Sequence, residues 1–389
     1  MKALNLLLLF TVFTNTNGFS LSNSAKSHPS VSFVSPLIEE GYPPVVHEYR
    51  LNTLKDKPLL LYLPGFDGTL LAPFLQFPEL STEFDVRGMT VSMSDRSSIE
   101  DLLEYVIDFI KQETKCKASG EVYIMGESFG GILAFLTGMS IQEQNAIRST
   151  ANEQIHLKGI VTINPATCYD RSNLAKFGPP VANTNPFFYP IALLSLLPLF
   201  TDEMALPQLL LILQGKGLPS VIDNASREAY MGRMAFSLPN KLNFMPQQTL
   251  KWRLEEWLTK GCHLIKDKEE NLKKIDIPVL IVAGEKDQTL PSIEEARRLS
   301  TFLKHPHVHI VDGSGHACTC GSRVDLTALM RSTFLNLNAN DGRKKMKIKA
   351  WNNEGVYFGL EQRYDNSSVG LSPFMYWSND YYQRIEYVV

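Results

Sequence analysis

Three side chains of this sequence have the types and settings that nucleophilic acyl chemistry needs: Ser128, Asp287 and His316. Ser128 sits at the centre of Gly126-Glu127-Ser128-Phe129-Gly130, Asp287 ends Gly284-Glu285-Lys286-Asp287, and His316 closes Asp312-Gly313-Ser314-Gly315-His316. A serine hydroxyl is a weak nucleophile at neutral pH, so an imidazole must take its proton, and a carboxylate must orient that imidazole. Attack on a carbonyl then builds negative charge on oxygen, which backbone N–H groups have to meet. The glycine-rich turn Pro64-Gly65-Phe66-Asp67-Gly68 offers Phe66 as one donor, and Phe129 offers the second. Losing one such donor typically costs about 10²–10³-fold in rate.

These residues need elements to hold them. The run Glu121-Val122-Tyr123-Ile124-Met125 reads as a strand and the apolar run from Gly131 as a helix, so Ser128 occupies a sharp strand-to-helix turn. Gly126 and Gly130 are required there because a side chain at either would strike a neighbouring element. Apolar strands also precede the other two residues, at 278–283 and 308–311, and Leu59–Leu63 leads into the Phe66 turn. The chain order Ser, Asp, His is that of the α/β-hydrolase triad. The expected fold is a mostly parallel central sheet flanked by helices, with an inserted helical cap. Asp287 could instead cap a helix over 291–299, which leaves Glu285 and Asp312 as alternative acids. Asp67 either shapes its turn or touches substrate.

With 389 residues, 44% of them hydrophobic, the chain can bury one large core or two smaller ones. A net charge of −3 gives no reason to expect nucleic acid. The cysteines, Cys116, Cys168, Cys262, Cys318 and Cys320, are odd in number and scattered, which does not suit a disulfide framework. Cys318 and Cys320 lack further ligands at metal-binding spacing, so they read as pocket-wall thiols and no metal is expected.

Residues 1–18 read as a signal peptide, with Met1-Lys2 before an apolar stretch too short to span a bilayer. Residues 19–45 open Ser-rich and free of acids until Glu39, which suits a plastid transit-like segment. The pair suggests delivery to a secondary plastid of an alga; simple secretion is the alternative, with Asn224 and Asn366 in glycosylation sequons. The hydrolase domain is expected over 46–335, with the cap over about 171–260. The cap is rich in Leu and Phe, and Phe187, Phe188, Leu194 and Leu197 are its candidate contacts to a long apolar group. Prolines 186, 190, 198 and 207 prevent it from forming one membrane helix, although reversible contact with a lipid surface is expected. Trp252 and Trp257, on a helix over about 249–260, read as packing anchors. Residues 336–389 are expected to be a linker with the basic run Arg343–Lys349, then an aromatic tail.

Several motifs together resemble the plastid phytyl ester synthase (esterase/lipase/thioesterase) family over about residues 55–335. They are Leu63-Pro64-Gly65-Phe66-Asp67-Gly68-Thr69, Ser94-Asp95-Arg96, Gly126-Glu127-Ser128-Phe129-Gly130-Gly131, Asn164-Pro165-Ala166-Thr167, Tyr169-Asp170-Arg171-Ser172 and Gly313-Ser314-Gly315-His316. The resemblance implies esterification of phytol, and in some members diacylglycerol, at plastoglobules or thylakoids. Acyl donors would be a galactolipid, acyl-CoA or acyl carrier protein, and no cofactor is implied. Family members continue into an acyltransferase-like domain with an H-x-x-x-x-D motif, which would start near Gly370. His307 and Asp312 fit that spacing, but they bracket a strand and are read as coincidence. The alternatives are an O-acyltransferase and a lipid esterase or galactolipase that releases free fatty acid.

Overall fold

The computed structural model describes residues 30–36, 57–73, 76–115, 117, 120–147, 154–200, 245–319 and 324–335. Its centre is a seven-stranded sheet in the order β1-β3-β2-β4-β5-β6-β7. In chain order the strands are β1 (Val31–Val34), β2 (Leu59–Leu63), β3 (Asp85–Val91), β4 (Glu121–Glu127), β5 (His156–Ile163), β6 (Val279–Gly284) and β7 (Pro306–Val311). All neighbours run parallel except β1, which pairs antiparallel with β3 at one edge. The continuous apolar character of β2, β4 and β6 follows from this, since a parallel sheet is covered on both faces. Leu59, Leu61, Leu63, Val122 and Ile124 pack on one face, while Leu60, Tyr62, Tyr123 and Met125 pack on the other. This alternation is the two-residue period of a strand turned into two cores.

Helices Ile99–Lys115 and Phe129–Ile147 contribute buried residues to the first core. The second core is closed by Phe77–Glu83 and by Leu326–Met330, which continues to Leu335. The sheet order reverses between β2 and β4, so the loops at their carboxyl ends part there and leave a crevice. Leu63 pairs with Gly126 at that edge, which sets the Phe66 turn beside Ser128.

Two expectations change here. Val31–Val34 belong to the sheet, so the ordered domain begins before residue 46; an acid-free, Ser-rich composition says nothing against β pairing once β3 offers an open edge. The helix expected over about 249–260 runs instead from Gln247 to Asp267, with a π-helical stretch at Arg253–Thr259. Within the segment expected to be the cap, this helix is preceded by the described helices Asn173–Ala182, Tyr189–Leu194 and Leu197–Phe200. No described helix is long and apolar enough to cross a membrane. Residues 1–18, expected to form a signal peptide, the sequons at Asn224 and Asn366, Cys116, Cys320 and residues 336–389 lie outside the described residues.

Candidate active site

Ser128 stands between β4 and the helix Phe129–Ile147 with φ at 54°, in the left-handed region that costs a non-glycine residue about 1–2 kcal/mol. Its backbone is clasped from three sides. Its N–H donates to the Ile163 carbonyl at 2.8 Å, and its own carbonyl accepts from Gly131 at 3.0 Å and Ala166 at 2.9 Å. The glycines of the turn are required by space: a Cβ on Gly126 would lie 2.0 Å from the Gly130 carbonyl oxygen. One on Gly130 would lie 2.0 Å from that of Leu63.

The structure brings the three candidate residues together. His316 Nε2 lies 3.1 Å from Ser128 Oγ, and Nδ1 lies 2.8 Å from Asp287 Oδ2. Asp287 is buried and accepts also from the Thr289 N–H at 2.8 Å, the Leu290 N–H at 3.1 Å and the Ser292 hydroxyl at 2.5 Å. Four donors hold the carboxylate in place. It does not cap the following helix, Ser292–Phe302, whose N-cap is Pro291. The alternative acids stand elsewhere: Glu285 accepts from the Gly313 N–H at 2.7 Å, and its interaction with Asp312 raises its pKa. Burial disfavours the His316 imidazolium, but the charge and hydrogen bond of Asp287, helped by Glu127 and Asp67, outweigh it and raise the pKa.

The Phe66 turn closes the near side. A Cβ on Gly65 would sit 3.7 Å from the Ser128 Cβ, so the turn approaches the nucleophile through a residue without a side chain. Among the described residues, neither the Phe66 nor the Phe129 backbone N–H donates to another group of the protein. Asp67 accepts from the Thr69 N–H at 3.2 Å and from the Thr69 hydroxyl, which is the turn-shaping role. Desolvation raises its carboxyl pKa, against the opposing pull of Thr69 and Arg253.

The cap residues divide. Phe187 and Phe188 are 82% and 56% exposed and meet each other edge-on, with no ring contact to His316 among the described residues. Leu194 and Leu197 are half-buried. Among the described residues of the segment expected to be the cap, Phe200 reaches the imidazole, with its ring centroid 6.0 Å from that of His316 and 5.6 Å from that of Phe66. Phe187 and Phe188, the expected contacts to a long apolar group, lie at the exposed edge of this segment, while Tyr189 and Leu196 turn inward.

Two further groups escaped the sequence reading. Glu127 is buried beside the nucleophile, held by the Tyr62 hydroxyl at 3.0 Å and the Thr319 hydroxyl at 3.1 Å. Desolvation pushes its carboxyl up to about 7. Asn164 is also buried; its amide donates to the His316 carbonyl at 2.6 Å, and its oxygen accepts from the Gly284 N–H at 2.8 Å. A charge inside the apolar run of β4 was the available signal for the first. For Asn164 the motif was visible but its partner was not. The Asp-Arg pairs are scaffolding: Arg96 donates to the Thr249 hydroxyl at 3.1 Å, and Arg171 pairs with buried Glu295 at 2.6 Å.

Over 284 residues the chain is 28% identical to phytyl ester synthase 1, chloroplastic, of Arabidopsis thaliana, covering 72% of this chain and 37% of that one. Phytyl ester synthase 2, chloroplastic, of the same plant is 26% identical over 300 residues, covering 72% and 38%. The chain thus spans less than two fifths of the length of these curated relatives. Among solved structures, carboxylesterase CesB from Bacillus subtilis superposes with a TM-score of 0.46 at 15% identity, covering 72% of this chain and 84% of that one. The family described as "Alpha/beta hydrolase family" matches residues 60–326, the span that holds six of the seven strands and every candidate site residue. By that match, and by its parallel sheet with Ser128 on the turn after β4, the chain belongs to the alpha/beta hydrolase family.

Proposed function

We propose that this protein is a lipid acyltransferase that works through an acyl-enzyme on Ser128, most simply making fatty acid phytyl esters or acylglycerols in a plastid. The observation that carries the reading is the unbroken hydrogen-bonded line from Ser128 Oγ through His316 to Asp287. In this reading His316 takes the Ser128 proton as Oγ attacks the carbonyl carbon of a fatty ester, and Asp287 steadies the imidazolium. The oxyanion accepts from the Phe66 and Phe129 N–H groups. Its collapse expels the donor's alcohol or thiol, which takes the proton from His316. A second alcohol then gives its proton to His316 and attacks the acyl-Ser128 carbonyl; collapse of this intermediate breaks the bond to Ser128 Oγ, which takes the proton back from His316, and releases the new ester.

The relatives' names support lipid esters and a plastid, since both are described as chloroplastic phytyl ester synthases. The signal-peptide and transit-like reading of residues 1–45 supports the same compartment, with the sheet strand Val31–Val34 as the part held by the domain. Water in place of the alcohol would make the same acyl-enzyme a lipid esterase. Incubation of the purified chain with a labelled galactolipid or acyl-CoA, with and without phytol, separates the two. A labelled phytyl ester formed in preference to free acid supports transfer. Free acid alone at every phytol concentration replaces transfer with hydrolysis. Turnover that survives in Ser128→Ala overturns the site.

A further inference from the structure

The helix that returns from the cap carries a fully buried cation, Arg253, that the chemistry above does not use. Its guanidinium donates to three backbone carbonyls: Phe66 at 2.7 Å, Ser92 at 2.8 Å and Val91 at 3.3 Å. It also lies 4.3 Å from the centroid of the Trp257 ring, and that ring stacks on Phe129 at 4.8 Å and 16°. Phe66 and Phe129 are the two residues whose N–H groups face the developing oxyanion in the proposed reaction. One turn of one helix therefore grips both, the first through its carbonyl and the second through its ring.

Stability is a poor reason for such a residue. Burying a guanidinium costs several kcal/mol before its hydrogen bonds return anything, and apolar replacements of buried ions are often neutral or stabilising. Desolvation lowers its pKa to about 10, and its Nε has no partner among the described residues. Nor is it a group open to substrate in this structure, since Arg253 is 0% exposed. Direction is what it does supply. Holding the Phe66 carbonyl against the end of β3 fixes the peptide plane that follows Phe66 and narrows the φ and ψ through which the preceding N–H can swing. Arg253 and Trp257 are four residues apart on one helix, the spacing at which side chains meet, and the stretch that carries them, Arg253–Thr259, is π-helical. Departures from α-helical winding of this kind are common at functional sites.

We propose that Arg253, braced by Trp257, is a positioning residue for the oxyanion-binding turn, and that its removal weakens transition-state stabilisation and leaves substrate binding intact. The inference rests on Ser128 being the nucleophile. In the full chain, Arg253→Lys and Arg253→Met are compared with the native protein after active sites are counted with a fluorophosphonate probe. The expected result is a fall in kcat of about 10–100-fold with KM within about twofold, a fraction of the loss seen when a donor is removed outright. Affinity for a trifluoromethyl ketone, which forms the tetrahedral oxyanion, falls in step with kcat. The Lys variant, which keeps the charge but not the fork, lies between native and Met. Unchanged kcat per active site, or a rise in KM alone, overturns the inference. Loss of folding in both variants also overturns it, by assigning Arg253 to the core. Failure of the native protein to label at Ser128 is a different result, which removes the proposed reaction itself.

Discussion

The amide of Asn164 joins the loop of His316 to the end of β6: it donates to the His316 carbonyl at 2.6 Å and accepts from the Gly284 N–H at 2.8 Å. Both ends of this bridge are buried, and Asn164 holds a φ of 43° to make it. The loop passes so close that a Cβ on Gly284 would lie 2.2 Å from the Gly315 carbonyl oxygen. Distances along the hydrogen-bonded line from Ser128 to Asp287 therefore depend on a residue that touches neither hydroxyl nor carboxylate.

Asn164→Gly is expected to lose about 2–3 kcal/mol of stability, because two buried partners are orphaned. Asn164→Ala should lose about 1 kcal/mol more, since alanine resists the left-handed backbone that glycine accepts. Urea denaturation of the two variants reads both terms. Equal midpoints would mean that the backbone there is unstrained.

Glu127 makes stability depend on pH in the less usual sense. Burial raises its carboxyl from 4.5 to about 7, so between those values the folded chain holds a proton that the unfolded chain has released. Stability should therefore fall as pH climbs through that window and level off above it, and the raised His316 acts in the same direction. Glu127→Gln should flatten the slope. The same variant removes a negative charge that favours the His316 imidazolium, so the acid limb of kcat/KM, above the ordinary imidazole value of 6.5, should shift to lower pH. A limb at the native pH would show that the two groups do not couple.

Gly130→Ala should abolish soluble protein or remove about 4 kcal/mol or more of stability, since the new methyl meets the Leu63 backbone, which cannot move without β2. Thermal melting of any soluble fraction checks it. A melting point within a few degrees of native would mean that the turn has more room than its packing indicates.

Phe200→Ala should widen the site next to His316 and Phe66. If the ring packs on acyl chains, KM for a long-chain ester should rise by roughly the value of two or three buried methylenes, about 2 kcal/mol or 30-fold, while short-chain esters change little. Assays across a series of p-nitrophenyl esters make the comparison. Equal effects at all chain lengths would place Phe200 in the alignment of the imidazole instead.

Much of the site could be read along the chain because its constraints are local. A serine between Gly126 and Gly130, after a β-branched run and before a helix, describes a turn whose geometry its own neighbours enforce. Asp287 and His316 each follow directly on an apolar strand, and parallel pairing of β6 with β7 places those strand ends side by side. The parallel sheet was legible for the same reason, from strands apolar on both faces.

The residues that escaped are those whose partners lie far away in sequence. Glu127 is read as an arbitrary residue of the motif until Tyr62 and Thr319 close around it. Arg253 looks like surface charge between two tryptophans until the helix turns it toward Phe66. Phe187 and Phe188 match Phe200 in composition, yet only Phe200 meets the imidazole, because composition carries no direction. Val31–Val34 show the same limit at the sheet edge, where pairing depends on an open neighbour and not on the segment's own character.

By itself the sequence determined the chemistry available, the order of the strands that carry it and the turn that exposes Ser128, since each of these follows from contacts between near neighbours. Only the tertiary structure decided which carboxylate stands behind His316, which aromatic covers it and what holds the oxyanion turn. Those outcomes depend on close packing among segments separated in sequence, by 29 residues for Asp287 and His316 and by 187 for Phe66 and Arg253, where a shift of one hydrogen-bond length would break the arrangement.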